Sequence, residues 1–248
     1  GYIHASDNLT ESFDNIRALT PDWGSYPLKL WNYSVPKFIS FQDFFNQLNK
    51  QKKLKYVVLR GFDTNKMMMV DEDIDILVND PYLFERTTKA QYYKHLNEKK
   101  SYYAPSVNNG GYKVGSQIII REKKIKFDVR RVGDDYFYHK WQKSMLDNYI
   151  FKNNVKILNQ SDQFYSLIYH EIIHKGFFRK KSFKKIIKLK PFLKFQGKKN
   201  SKDINILKEQ LNDFIFRSAY KFVCPKEFSL GCNSNCLKNK YNFNFFKV

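Results

Sequence analysis

The chain has 248 residues, with 42% hydrophobic and 17% aromatic content, enough for a substantial core and far from the aromatic-poor composition of disordered chains. Its 44 Lys and Arg against 24 Asp and Glu leave a formal charge of +20, and no stretch approaches the ~20 consecutive apolar residues of a membrane-spanning helix. A disordered chain and a helical membrane span are excluded, while the charge favours partners that carry phosphate, nucleic acid or an anionic membrane surface.

Residues 1–35 have turn formers between Pro21 and Pro27 and no periodic pattern. The segment SFQDFFNQLNKQKK then predicts a helix with Ser40 as N-cap, Asp43 in the first turn and lysines at the far end. KYVVLRGF, residues 55–62, predicts a strand that ends in a turn at Gly61. DEDIDILVND alternates acidic and apolar residues, so Asp73 and Asp75 share one strand face and Ile74 and Ile76 the other. FERTTKAQYYKHLNEKK carries a helical pattern from residue 84 to 100. The tract SVNNGGYKVGSQIIIREKKIKFDVRRVGD predicts strands, with a turn at residues 109–111 and another in REKK. A helix over 162–175 holds the sequence HEIIH, and the remainder is basic and aromatic, interrupted by Pro191 and Gly197. The fold class expected is α+β: a mixed sheet flanked by helices over residues 1–150, then a helical, basic region over 151–248, with a cleft between them.

Acids at i and i+2 of a strand project from one side, and the later strand KIKFDVR repeats that phase. Lys126, Asp128 and Arg130 fall on one of its faces; Ile125, Phe127 and Val129 fall on the other. If the two strands are neighbours, Asp73, Asp75 and Asp128 meet at one point. Three carboxylates together require cations or protons, and hard oxygen ligands suit Mg²⁺ or Mn²⁺.

Gly61 and Phe62, a ten-residue spacer, the pair Asp73 and Asp75 alternating with Ile74 and Ile76, and a later Asp128 together resemble the nucleotidyltransferase superfamily of the DNA polymerase beta type. The likeness covers residues 40–135. Phe62 stands where that pattern has Gly or Ser, the small residue that lets the loop approach phosphates. VDEDIDIL also resembles the acidic run of the fukutin and choline-phosphate transferase type. The order LRGFD, DIDILV, FDVRR and FYSLIYH is similar, more loosely, to nucleotidyltransferase-like proteins of bacterial surface-polysaccharide synthesis. These resemblances imply a transferase that moves a nucleotidyl or phospho group from a nucleotide-activated donor to an acceptor hydroxyl, the acceptor being glycan, nucleic acid or a small molecule. They imply Asp73, Asp75 and Asp128 as catalytic metal ligands, and Arg60, Gly61, Lys126, Arg130 and Arg131 as donor contacts. A phosphotransferase using a CDP-type donor on a cell-surface glycan is the alternative within the same chemistry.

HEIIH, residues 170–174, also matches the two-histidine zinc signature of metalloproteases, with Glu171 as the general base. No third His follows, and the next acids are Asp203 and Glu209, so His170, His174 and Lys175 read instead as acceptor or phosphate contacts or as helix-surface residues. Asp71 and Glu72 read as a solvated turn. Cys224, Cys232 and Cys236 are too few for a disulfide framework, which points to a reducing, cytoplasmic location. Eleven basic residues and no acidic one lie between Arg179 and Lys202, either an anion-binding tract or a solvated lysine-rich face. A nucleic-acid or membrane binding module without catalysis is the reading of a different class.

Overall fold

The computed structural model describes residues 36–89, 91–92, 114–189 and 201–223. The expected turn at 109–111, the interruptions at Pro191 and Gly197, and the three cysteines lie outside them. The architecture is α+β, a mixed sheet flanked by helices.

The sheet contains β1 (Lys37–Phe38), β2 (Tyr56–Arg60), β5 (Ile74–Val78), β6 (Gln91–Tyr92), β7 (Val114–Ile120), β8 (Lys123–Arg131), β9 (Ile150–Lys152) and β10 (Val155–Ile157). Its order is β1-β7-β8-β5-β2-β10-β9, with β6 on β7, and a separate hairpin is made by β3 (Phe62–Asp63) and β4 (Met68–Met69). β5 lies between β8, to which it is parallel, and β2, to which it is antiparallel. β7 and β8 form a hairpin whose turn, Arg121 and Glu122, has positive φ at both residues (46° and 66°). The same backbone closes β9–β10 at Asn153 and Asn154 (48° and 64°), where asparagine tolerates the left-handed region well. β9, which begins at Ile150, and β10 add to the edge of the sheet beside β2, so the sheet itself continues past residue 150.

Two apolar clusters form, one on each face. Helix α1 (Phe41–Lys50) starts where Ser40 Oγ accepts the Asp43 N–H at 3.2 Å. It packs with α2 (Pro81–Thr88) over Ile74, Ile76, Val78, Phe127 and Val129. α2 begins three residues earlier than the periodicity suggests, because Asp80 accepts the Leu83 N–H at 3.0 Å and Pro81 is preset for a first turn, and it ends at Thr88 rather than continuing toward residue 100, since Gln91 and Tyr92 pair with β7 as a strand.

The opposite face is covered by α3 (His139–Asp147), α4 (Gln160–Tyr169), α5 (Lys180–Lys188) and α6 (Ser201–Arg217), which bury Trp141, Phe164, Ile168, Phe183 and Leu211 against Val57 and Leu77. Asn159 caps α4, its side-chain oxygen accepting the Asp162 N–H at 2.9 Å. α4 then widens into a π-helical segment, His170–Lys175, which ends at Gly176 with φ 74°. Among the described residues no helix is long and apolar enough to cross a membrane.

Candidate active site

The central observation is a register. Asp75 of β5 and Asp128 of β8 are direct partners on adjacent parallel strands, 4% and 5% exposed. The phase that puts Ile74 and Phe127 into the α1–α2 cluster sends both carboxylates toward the helices of the C-terminal region. Asp73 precedes β5 and is half-buried. Its backbone lies against Gly61, whose φ of 87° and whose missing Cβ both matter, since a side-chain carbon there would strike the Asp73 carbonyl. Phe62 does not crowd this approach, because its ring packs on Phe41 and Phe45 of α1 at centroid distances of 4.9 and 5.2 Å.

Arg60 reaches the site through a β-bulge. Val58 faces Ile76, yet Arg60 rather than Leu59 faces Asp75, so one extra residue is accommodated between them. The guanidinium grips the carboxylate with both prongs: Nε donates to Oδ2 at 2.7 Å and Nη2 to Oδ1 at 2.9 Å. Burial disfavours the charge on Arg60, but Asp75 and Tyr136 outweigh it and hold its proton more firmly than usual.

Tyr136 continues the chain of contacts. Its hydroxyl accepts from Arg60 Nη2 at 2.6 Å and, since arginine only donates, gives its own proton to His170 Nδ1 at 2.7 Å. His174 donates from Nε2 to the Tyr136 backbone carbonyl at 2.8 Å. Both imidazoles are held neutral, well below the usual histidine range. For His170 the causes are burial, then the field of Arg60 and its cationic neighbours; for His174 they are burial, then Arg130 and Arg60. Their Nδ1 lone pairs therefore face one another at 3.3 Å. Burial also pushes the Tyr136 phenol up. Arg130, paired in register with Leu77, lies over the Tyr136 ring at 3.9 Å and 3.8 Å from Asp134.

The other expected residues divide. Lys126 shares the phase of Asp128 and is exposed. Arg131 is opposite Val78, a residue of the α1–α2 cluster, so strand alternation puts it on the other face, away from Asp128. His170 and His174 are not on a helix surface; they are 3% and 2% exposed. Lys175 closes the π-helical segment, half-buried. Glu171 is fully buried and held by Arg179, which donates from Nη2 at 2.6 Å, from Nε at 3.0 Å and from its backbone N–H at 2.7 Å. With Glu171 so held, and no third His, Cys, Asp or Glu converging with His170 and His174 among the described residues, HEIIH lacks the ligand set and the free base of a zinc-hydrolase site. Asp71 is no free turn residue either: Lys181 and Lys185 of α5 both donate to it, and they overcome the effect of its burial to keep its carboxyl below the usual range.

The acids were expected to hold Mg²⁺ or Mn²⁺. As arranged they do not fit such an ion. Both Asp75 oxygens are committed to Arg60, and among the described residues no three His, Cys, Asp or Glu side chains converge as a metal set. Tyr136, which organises this face, carries no pattern by which the sequence marks it.

No family model and no curated protein matches the chain. Among solved structures it is similar to that of an antigenic nucleotidyltransferase-like protein from Paracoccidioides brasiliensis, at 11% identity and a TM-score of 0.40, over 75% of this chain and 92% of that one.

Proposed function

We propose that the chain transfers a nucleotidyl or phospho group from a nucleotide-activated donor to an acceptor hydroxyl, with the acidic face of β5 and β8 as the reaction site. The observation that supports this is the Asp75–Asp128 register beside the Gly61 turn. Two carboxylates in the interior of a sheet cost stability where apolar residues would pack freely, which favours a role in chemistry. In the displacement, the acceptor oxygen bonds to phosphorus as the donor's phosphoanhydride P–O bond breaks, and the leaving group departs as nucleotide or pyrophosphate. Asp128 takes the hydroxyl proton. Lys126 and the α5 lysines anchored on Asp71 bring positive charge to the rim for the donor phosphates.

The test is a panel of nucleoside triphosphates, CDP-alcohols and sugar nucleotides, with and without Mg²⁺ or Mn²⁺, followed by turnover on hydroxyl acceptors. One donor class should bind, and Asp128→Asn should lower turnover by about a hundredfold or more with the fold retained. The donor that binds separates nucleotidyl transfer from phospho transfer. Turnover untouched by Asp128→Asn would remove the reading. Salt-sensitive binding of RNA or anionic vesicles with no turnover of any donor would make the chain a binding module instead.

A further inference from the structure

The sheet delivers a cation to Asp75 from within the chain. In an unbroken antiparallel ladder Leu59 would face Asp75, and Arg60 would point with Ile74 and Ile76 into the α1–α2 cluster; the bulge after Val58 puts Arg60 opposite Asp75 instead. The guanidinium then occupies one lone pair on each carboxylate oxygen, at 2.7 and 2.9 Å. Its orientation is held from elsewhere in the chain: Nη2 also donates to Tyr136, whose hydroxyl is held by His170 and whose carbonyl is held by His174. Three segments distant in sequence thus hold one arginine on one aspartate.

We propose that Arg60 is the resident counter-cation of Asp75, standing where a divalent metal ion would otherwise bind, so that free Mg²⁺ or Mn²⁺ has no site at Asp75 while the ion pair is made. A divalent ion there would need the oxygens that Arg60 holds and would sit against a fixed positive charge in a poorly solvated place. The pairing requires neither a donor nor turnover. The inference concerns the site of the transferase reading but does not depend on that reading.

The experiment is Mn²⁺ binding to the ligand-free protein, read by the electron paramagnetic resonance of free Mn²⁺ and by paramagnetic broadening of the His170 ring signals. His170 joins Asp75 through Tyr136 and Arg60, so an ion on Asp75 would broaden it. In the wild type, Mn²⁺ should leave those signals sharp. Arg60→Gln should gain a single site, at least about tenfold tighter than any in the wild type, and adding Asp75→Asn should abolish it. Should Arg60→Gln fail to fold, Arg60→Lys keeps a charge without the two-pronged grip and should gain a weaker site, while the wild-type spectra need no variant. Stoichiometric broadening of His170 by Mn²⁺ in the wild type, or an Arg60→Gln protein that binds Mn²⁺ no more tightly, would overturn the proposal. Because no donor is present, that failure is distinct from failure of the donor panel.

Discussion

Gly61 and Asp73 are pressed backbone to backbone: Gly61 holds φ at 87°, and a Cβ added to it would collide with the Asp73 carbonyl and come within 3.1 Å of the Ile74 Cα. Because those neighbours are main-chain atoms at the start of β5, no rotamer change relieves the collision. Gly61→Ala should therefore cost about 1–3 kcal/mol in denaturant unfolding, from backbone strain and displacement of the Asp73 segment. Wild-type stability in that variant would mean the contact is not needed.

Tyr136→Phe keeps the ring under Arg130 and removes only the hydroxyl between Arg60 and His170. It leaves a guanidinium N–H and an imidazole nitrogen buried without that partner, a loss of about 1–3 kcal/mol. Equilibrium unfolding measures it. If the variant matched the wild type, the chain from Asp75 to His170 would contribute nothing to the fold.

The neutral, buried histidines predict acid sensitivity. Their folded-state values lie well below the ordinary value of about 6.5, so below that pH the unfolded chain binds protons that the folded one does not. Their contribution is complete above about pH 6.5 and is lost as pH falls toward the depressed values, with a slope of at most about 2.7 kcal/mol per pH unit for two sites. Asp71 acts in the same sense, but only below the ordinary aspartate range. Unfolding measured from pH 7.5 to 5 should show the decline. His174→Gln, which keeps a donor for the Tyr136 carbonyl, should roughly halve the slope.

Two basic residues near α5 should differ sharply. Arg179 neutralises a carboxylate with no exposure, so Arg179→Ala strands a buried charge and should cost about 3 kcal/mol or more. Lys181, 66% exposed on Asp71, should cost under about 1 kcal/mol as Lys181→Gln, and that cost should shrink further in high salt. Equal effects would mean that burial of Glu171 is not what makes its partner matter.

Local pattern in the sequence determined several of the elements and the phase of the acids. Ser40 and Asp43 start α1, period-two alternation sets Asp75 against Ile76 and Asp128 against Phe127, and Gly61 ends β2, because each depends on neighbours a few residues away. The Asn153–Asn154 hairpin turn is a signal of the same local kind, since both residues take positive φ. Tertiary structure alone decided which strands are neighbours, and with that the Asp75–Asp128 pair. It also decided the bulge that turns Arg60 onto Asp75, since Leu59 and Arg60 differ in facing only through a ladder formed with a strand fifteen residues away. The HEIIH spacing carried no sign that His170 and His174 would be buried on Tyr136 or that Glu171 would be taken by Arg179. A helix pattern specifies which residues share a face, whereas what covers that face depends on segments brought together only by folding.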